Sequence, residues 1–458
     1  GSGSIAGLST AQINALSTAQ LSRISPANVA GLPFASLSTV AVTSLNTATI
    51  ASLASSQITG LNSANVAGLT TSQIRALSPT QVGFFEGLDL AAMSAAQINA
   101  FDTNQVAGLS LGQIQALTTT NISGLRIEGL SSAAIQSIET EDLALLTNQQ
   151  WIDGVTLNNV MGLSTRQVSS LGSGRLNLLE TRDVTAMLSQ QINAISSAQI
   201  SGLSASFLQA LSTDNVKGLS TLSISLLSAN QIAAIEIQDF ASLTSMQMSG
   251  FTTAQLLALG SQQYSSIGVD NVKGLTTNQL ASIGNPGVFL STAAISGLLA
   301  SQVGSLSTSQ VASLVSSSKL GAFNAANIVD LNLRGLSPTD IKFIDVNAVA
   351  AIGSIQIAAL SSSQFFGLSA PQIQQLTTSQ LRAFHTGQPA SLTTAAIASV
   401  LISKGWLDPS DAANNILSAA QTSALYYSPL VFDIDGNGIR TLSVDQGVRF
   451  DLDADDKK

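Results

Sequence analysis

Cysteine is absent from this chain of 458 residues, and charged and aromatic residues are scarce. Without cysteine, disulfide bonds and thiol chemistry are excluded. Only 9% of the residues are charged and 4% are aromatic, whereas a typical globular protein carries about 25% charged residues. Uncharged Ser, Thr, Asn and Gln must therefore cover the surface. Because 45% of the residues are hydrophobic, the composition favours a folded chain with a core of Leu, Ile, Val and Ala.

Three classes of function are disfavoured by what the sequence lacks. No run of 18 apolar residues occurs, so we expect no membrane span. The net charge is −9 and the 17 basic residues are scattered, so we expect no nucleic-acid partner, which would require clustered Lys and Arg. The single histidine, His385, follows the apolar Phe384 and has no recognisable set of acid, base or nucleophile around it. With no phosphate-binding glycine loop or HExxH motif either, we predict that the chain is not an enzyme.

An octapeptide repeat organises most of the chain. Residues 8–15 show the unit: an anchor (Leu8), a cap residue (Ser9), two variable residues, an amide residue (Gln12), an inner residue (Ile13), one variable residue and a small residue. These names are kept below for the corresponding positions of every octad. The amide residue is Gln or Asn in most octads, and the inner residue is Ile, Leu or Val.

The repeat holds its phase over long stretches. Anchors recur every eight residues from 37 to 125, from 163 to 283 and from 336 to 392. Three steps between anchors are shortened to five residues, and we expect each to tighten one turn of the coil and to alter the direction of the superhelix. The shortened steps run from 32 to 37, from 125 to 130 and from 331 to 336.

Each octad is predicted to form one short helix. Ser9 and Gln12 have the spacing of a capping box, in which each side chain bonds to the backbone N–H of the other residue. Ile13 and Leu16 then lie on one helical face. A continuous helix would rotate successive anchors by roughly 80° and bury no consistent stripe. We therefore predict an all-α solenoid of very short helices that are stable only when stacked. A β-solenoid remains the alternative, because its coils also place Ser, Thr and Asn at fixed positions.

The octads define the predicted domains. Residues 1–4 are interpreted as a tag or linker, and residues 5–400 as one solenoid array, since none of the phase changes has the composition of a linker. Residues 401–427 are predicted to form a capping or junction helix. Residues 428–458 are predicted to be a truncated calcium-binding segment.

Two acidic clusters in residues 428–458 suggest calcium binding. Asp433, Asp435 and Asn437 place oxygen ligands at alternate positions before the sharp turn expected at Gly438, as in the first half of a calcium loop. The acidic twelfth residue of an EF-hand is missing, because Val444 stands there. A second cluster comprises Asp451, Asp453 and Asp455. The alternative interpretation is an acidic, frayed tail.

The motifs at residues 428–439 and 450–455 resemble the calcium-binding segment that recurs in large RTX-type proteins. Those are calcium-dependent bacterial proteins exported by type I secretion, and they include adhesins and iron-regulated Frp-like proteins. The resemblance implies that Ca²⁺ is bound outside the cell and drives folding there. Some Frp-like proteins carry a self-cleaving Asp-Pro bond before this segment, but Ser428-Pro429 stands here, so self-cleavage is not expected. The implied metal ligands are Asp433, Asp435, Asn437, Ile439, Asp451, Asp453 and Asp455.

The predicted function is that of a structural stalk or spacer in a secreted bacterial adhesin or RTX-type surface protein. The surface lacks the concentrated Trp, Tyr and Arg that are typical of binding hot spots. The alternative is a binding module that uses the regular Ser/Thr-rich face to contact carbohydrate, a cell surface or ice. Expected partners are a host or neighbouring cell surface, or a second copy of the chain.

Overall fold

A computed structural model describes residues 7–387, together with Ile402, Lys404, Gly405 and Gln421. The chain divides into two compact units, Gly1–Leu243 and Thr244–Lys458, and each unit is described by itself. The boundaries predicted at residues 4, 400 and 427 lie outside the described residues and stay predictions.

The first unit consists of short helices. Its α-helices are Thr10–Asn14, Thr18–Leu21, Thr39–Thr43, Thr47–Ala51, Ser55–Ile58, Ser63–Gly68, Thr71–Arg75, Pro79–Val82, Gly87–Ala92, Ala95–Ile98, Thr103–Ala107, Leu111–Gln115, Ser132–Gln136, Thr140–Leu145, Asn148–Gly154, Thr165–Ser170, Ser173–Leu176, Thr181–Ala186, Ser189–Asn193, Ser197–Ile200, Ala205–Gln209, Thr221–Leu226, Ala229–Ala234 and Ile237–Ala241. Its 3₁₀ helices are Pro26–Gly31, Phe34–Ser36, Ile122–Gly124, Ile127–Gly129, Val160–Gly162 and Val216–Gly218.

The second unit has the same construction. Its α-helices are Ser245–Ser249, Thr253–Leu257, Ser261–Ser266, Thr277–Ser282, Pro286–Phe289, Thr292–Gly297, Ala300–Gly304, Thr308–Ser316, Ser354–Ala358, Ser362–Phe365, Ala370–Gln375 and Thr378–Gly387. Its 3₁₀ helices are Val272–Gly274, Leu320–Ala322, Ile328–Asp330, Leu333–Gly335, Ile341–Phe343 and Val349–Ala351. No β-strand occurs in residues 7–387, so the all-α solenoid is confirmed and the β-solenoid alternative is wrong.

Most helices begin and end where the octad predicts; Thr308–Ser316 runs on through the anchor position Leu314. The Ser9 hydroxyl accepts the N–H of Gln12 at 3.3 Å, and the Gln12 side chain accepts the N–H of Ser9 at 2.8 Å. At the other end the anchor turns the chain: Leu69 has φ −60° and ψ 135°, and the following cap residue, Thr70, has φ −75° and ψ 156°. Two successive extended residues stop one helix and start the next, because helical φ/ψ must persist for the hydrogen bonds to continue.

Helices that begin 24 residues apart stack on one another. In the first unit Thr47–Ala51 packs on Thr71–Arg75, which packs in turn on Ala95–Ile98. In the second unit Thr253–Leu257 packs on Thr277–Ser282 in the same way. Three octads therefore make one coil in each unit.

The anchors and inner residues form the core of each unit. Ile98 is 1% exposed and Phe101 is fully buried, and the same two positions are buried in octad after octad. Burying an aliphatic side chain of this size contributes about 1.5–3 kcal/mol. Because a helix of five residues is unstable alone, this packing between coils is what maintains the helices.

The shortened steps replace an octad helix with a single 3₁₀ turn. Ile127–Gly129 packs on Thr103–Ala107, and Leu333–Gly335 packs on Thr308–Ser316. In each case the 3₁₀ turn is the third element after its partner, so it fills one of the three places in a coil with five residues instead of eight. The predicted tightening of a turn is thus seen locally, whereas the change in superhelix direction stays a prediction.

Glycine is required in several octads that use Asn as the amide residue and form a 3₁₀ turn. A Cβ atom at Gly218 would collide with the carbonyl oxygen of Ser189 in the preceding coil, and one at Gly124 would collide with that of Ala95. Asn215 and Asn121 are the amide residues of these octads. Asn is one methylene shorter than Gln, so the backbone must approach the preceding coil more closely for the amide to make the same contacts.

Replacing this glycine should therefore destabilise the protein. We expect Gly218→Ala to lower the free energy of unfolding by about 1–3 kcal/mol, because the new methyl group would force the coils apart. Urea denaturation followed by circular dichroism measures the change. Gly112→Ala is the matched control, since a Cβ there has nothing within 4 Å. The control should be neutral or stabilising by up to about 1 kcal/mol. Equal destabilisation by both variants would contradict the close approach at Gly218.

Candidate functional site

The sequence-predicted metal ligands cannot be placed in the fold. Asp433, Asp435, Asn437, Ile439, Asp451, Asp453 and Asp455 all lie outside the described residues, so the calcium site stays a prediction. Within the described part of the chain, no group of three or more His, Cys, Asp or Glu residues could hold a metal ion. His385 lies in the helix Thr378–Gly387.

A column of buried amide side chains is the main polar feature of both units. These residues are buried although Gln and Asn normally lie at the surface. They are the amide residues of the octads and include Asn65, Gln73, Gln81, Gln97, Gln105, Gln113, Asn121, Asn159, Gln167, Gln191, Gln199, Asn215 and Gln231 in the first unit, and Gln279, Gln302, Gln310, Asn327, Gln364, Gln372 and Gln380 in the second.

Each amide side chain bonds in two directions, as Gln113 illustrates. Its Oε1 accepts the N–H of the cap residue Ser110 at 2.8 Å, which completes the capping box. Its Nε2 donates to the carbonyl oxygens of Val82 at 3.0 Å and Phe85 at 2.8 Å. Those carbonyls belong to the preceding coil, 31 and 28 residues earlier. One side chain therefore caps its own helix and ties it to the end of an earlier helix.

The same register recurs along both units. Gln191 donates to Val160 and Leu163 at 2.8 and 2.7 Å, and Gln372 donates to Ile341 and Ile344 at 3.2 and 2.7 Å. We call this series of bonds between coils the amide ladder. The last carbonyls of a helix have no partner within it, and the amide ladder supplies donors to them.

Other donors occupy the ladder where Gln or Asn is missing. Arg175 stands at an amide position and donates from Nη2 to the carbonyl of Ala144 at 3.1 Å and to that of Leu146. Its guanidinium lies over the Trp151 ring, 5.8 Å from the ring centroid. Lys319 donates to Leu290 at 2.7 Å. Arg and Lys side chains can thus supply the ladder donor where Gln or Asn is missing.

Sequence reasoning identified the capping bond of the amide residue but missed the ladder bond. A signal for it was present. A capping box accepts Glu as readily as Gln, yet none of the six glutamates of the chain stands at an amide position. Glu would accept the capping bond but has no N–H to donate, so its absence agrees with a second, donor role for Gln and Asn, although Asp, which also lacks the donor, stands at some of these positions.

Five octads carry Asp at the amide position: Asp340 is half-buried, and the other four are buried. Asp89, Asp142, Asp183 and Asp239 are between 1% and 6% exposed. In each of these octads Glu is the cap residue, at 86, 139, 180 and 236, which accounts for four of the six glutamates. We call these segments the acidic octads.

Asp89 shows how an acidic octad can keep the capping bond while it lacks the amide donor. Asp89 accepts the N–H of Glu86 at 3.0 Å on Oδ2, and its Oδ1 accepts the hydroxyl of Ser63 at 3.1 Å. Oδ1 of Asp142 and Oδ1 of Asp183 are buried without a hydrogen-bond partner. A buried oxygen in this state is unusual and costs free energy.

Burial raises the pKa of three of these carboxyl groups. For Asp142, desolvation is the main cause and the negative charges of Glu139 and Glu141 raise the pKa further. Desolvation also raises the pKa of Asp183, although the nearby charge of Arg182 opposes it. For Asp239, desolvation and the charge of Glu236 act in the same direction.

Residues 85–119 resemble a known repeat family. A family model described as the ALTTAQ repeat matches this segment. The match includes the octads whose amide residues are Gln97, Gln105 and Gln113. In the ALTTAQ segment the small residue, the anchor, the cap residue and the amide residue stand at the spacing of the letters A, L, T and Q, as in Gly108, Leu109, Ser110 and Gln113. No curated protein matches the chain.

Removing one rung of the amide ladder should destabilise the ALTTAQ segment. We expect Gln113→Ala to lower the free energy of unfolding by about 2–4 kcal/mol, because it deletes a capping bond and leaves buried carbonyls of the preceding coil without a donor. Chemical denaturation measures the loss. Gln115→Ala, in the same helix but exposed, should stay within about 0.5 kcal/mol. A similar loss in both variants would mean that helix propensity, and not the ladder, carries the effect.

Proposed function

We propose that this chain is a non-enzymatic structural repeat region, a stalk or spacer, in a secreted bacterial surface protein of the adhesin or RTX type. The observation that supports the proposal is the amide ladder, whose bonds between successive coils recur in the same register in most octads of both units. Gln73, near the start, donates to Leu45 at 2.8 Å, and Gln380, near the end of the described array, donates to Ile352 at 2.7 Å. Both bonds span 28 residues.

A ladder of this kind suits a spacer because it resists separation of the coils. Its bonds connect successive coils, so a pull along the stacking direction loads hydrogen bonds in every coil at once. Repeat proteins in which units contact only their neighbours gain length without needing a new core. No helix in the described residues is long and apolar enough to cross a membrane, and the proposal places the array outside one.

The cap hydroxyls are poorly suited to the alternative, a Ser/Thr-rich binding face. Ser110 Oγ accepts the N–H of Gln113 at 3.3 Å, and Thr70 Oγ1 accepts that of Gln73 at 3.2 Å. Hydroxyls engaged in such local bonds are partly occupied and offer less to carbohydrate or ice. Of the two proposals, the spacer therefore has more support.

A coil insertion tests the spacer. Duplicating residues 187–210, three octads from the longest unbroken phase, should leave the helical circular dichroism per residue unchanged and increase the maximum dimension in small-angle X-ray scattering. A second duplication should add an equal increment, because each coil stacks on its neighbour in the same way. Insertions of Gly and Ser of the same length are the control and should lower the helical signal per residue. Loss of folding, or no gain in dimension from the duplicated coil, would contradict the proposal.

The calcium segment is proposed on its resemblance alone and needs its own test. We expect the full chain to bind Ca²⁺ in isothermal titration calorimetry, and Asp433→Asn combined with Asp435→Asn to abolish or strongly weaken that binding, because carboxylates are the principal ligands of Ca²⁺ in proteins. Asp214→Asn, an exposed aspartate of the array, should bind as the unaltered chain does. Equal binding by all three proteins would place the metal elsewhere and remove the support for an RTX-type segment.

A further inference from the structure

Asp142 stands where the amide ladder requires a donor, and its carboxyl group has the shape of the Asn side chain. Asn121, an amide residue in the same unit, accepts the N–H of Thr118 on Oδ1 at 2.8 Å. Its Nδ2 donates to the carbonyls of Leu90 and Met93 at 2.8 and 3.0 Å. An ionised aspartate in this place can keep the first bond but not the second, because a carboxylate has no hydrogen to donate.

The spacing of the ladder bonds shows which backbone carbonyl lies opposite such a carboxylate. Gln81 donates to the carbonyl of Leu53 and Gln97 to that of Leu69, in each case 28 residues earlier. By the same register Asp89 lies against the carbonyl of Leu61. There the hydroxyl of Ser63 donates a hydrogen bond to Oδ1 of Asp89, so this carboxylate oxygen has a partner.

Asp142 has no donor of this kind next to its Oδ1. The residue is 6% exposed, and its Oδ1 has no hydrogen-bond partner. Asp183 also has an Oδ1 without a hydrogen-bond partner, but the guanidinium of Arg182 lies 3.9 Å from that oxygen and offsets its charge. Asp142 is therefore the acidic octad in which the missing donor matters most.

We propose that Asp142 is a proton-binding joint of the amide ladder: it takes a proton from water, and the neutral carboxyl O–H then donates to a backbone carbonyl of the preceding coil, as the amide of Asn does. No other bond is formed or broken. Above the pH at which this proton is lost, the carboxylate faces the preceding coil without a partner and the contact between the two coils loosens.

The charges around Asp142 favour the protonated form. Its own helix, Thr140–Leu145, carries Glu141 and is preceded by Glu139, and both charges oppose ionisation. The helix Thr165–Ser170, which packs against it, brings Arg166 close to Glu141. The packed 3₁₀ turn Ile122–Gly124 has no ionisable side chain. Arg175 approaches the end of the helix but donates to the carbonyls of Ala144 and Leu146.

The direction of the pH effect follows from the raised pKa of Asp142. A carboxyl group whose pKa is higher in the folded protein binds protons more tightly there, so it stabilises the fold most below its ordinary pKa of about 3.9. That stabilisation is lost as the pH rises through the higher pKa of the folded state. The contact should thus be tighter in acid than at neutral pH, opposite to the usual behaviour of a salt-bridged aspartate.

Asp142→Asn in the full chain tests the joint, because Asn carries the donor at every pH. Amide hydrogen exchange of residues 138–146, followed by mass spectrometry, reports local opening. At pH 7.5 we expect the variant to exchange roughly tenfold more slowly than the unaltered chain, the size of effect expected when a buried oxygen gains a hydrogen bond. At pH 4 the difference between the two proteins should be smaller, since protonation of Asp142 supplies the same donor.

Two controls separate this effect from a general loss of negative charge. Asp102→Asn alters an exposed cap residue that already accepts the N–H of Gln105 at 2.8 Å, and it should not slow exchange in residues 138–146 at either pH. Asp89→Asn replaces a carboxylate that already accepts a hydrogen bond from Ser63. Exchange in the segment around Asp89 should therefore slow less in this variant than exchange in residues 138–146 slows in Asp142→Asn. Equal exchange in the Asp142→Asn variant and the unaltered chain at pH 7.5, or a difference of equal size at both pH values, would overturn the proposal.

Discussion

The backbone carbonyls at the ends of very short helices are the constraint on which this structure depends. A helix leaves its last four carbonyls without internal partners, so a helix of five residues has few satisfied groups of its own. The octad solves this with one side chain. Gln113 gives its oxygen to the start of its own helix and its nitrogen to Val82 and Phe85 in the preceding coil. The hydrophobic core holds the coils together, whereas these hydrogen bonds determine the register in which one coil packs on the next.

The length of the amide side chain accounts for variation that otherwise looks arbitrary. Most octads with Asn form tight 3₁₀ turns such as Val216–Gly218. Their small residue is glycine where the coil behind leaves no room for a Cβ, as at Gly124 and Gly218, whereas the octad of Asn327 carries Asp330. Octads with Gln have a longer reach and tolerate Ala at the same place. Side-chain length, helix type and the small residue are therefore linked within one octad.

The sequence predicted the helices well because their signals are local. The capping box joins Ser9 and Gln12, which are three residues apart, and the structure contains it as expected. The number of octads in a coil was beyond sequence reasoning, since it depends on the angle that two extended residues, such as Leu69 and Thr70, impose between successive helices. The ladder bond was missed for a related reason: its two ends lie 25 to 32 residues apart, and the sequence of one octad does not show which residue accepts the bond. The calcium ligands from Asp433 to Asp455 remain a prediction from motif and resemblance.

The acceptors of the amide ladder are backbone atoms, and this has an evolutionary consequence. Any octad presents the same carbonyl oxygens whatever its side chains, so a donor finds an equivalent acceptor after whole octads have been gained or lost upstream. Unequal recombination or replication slippage in such a gene changes the partners only of the rungs that span the change, and it breaks the chemistry of none. The number of octads can then change during evolution without compensating substitutions. Selection for a longer or shorter array can therefore act on the number of octads alone.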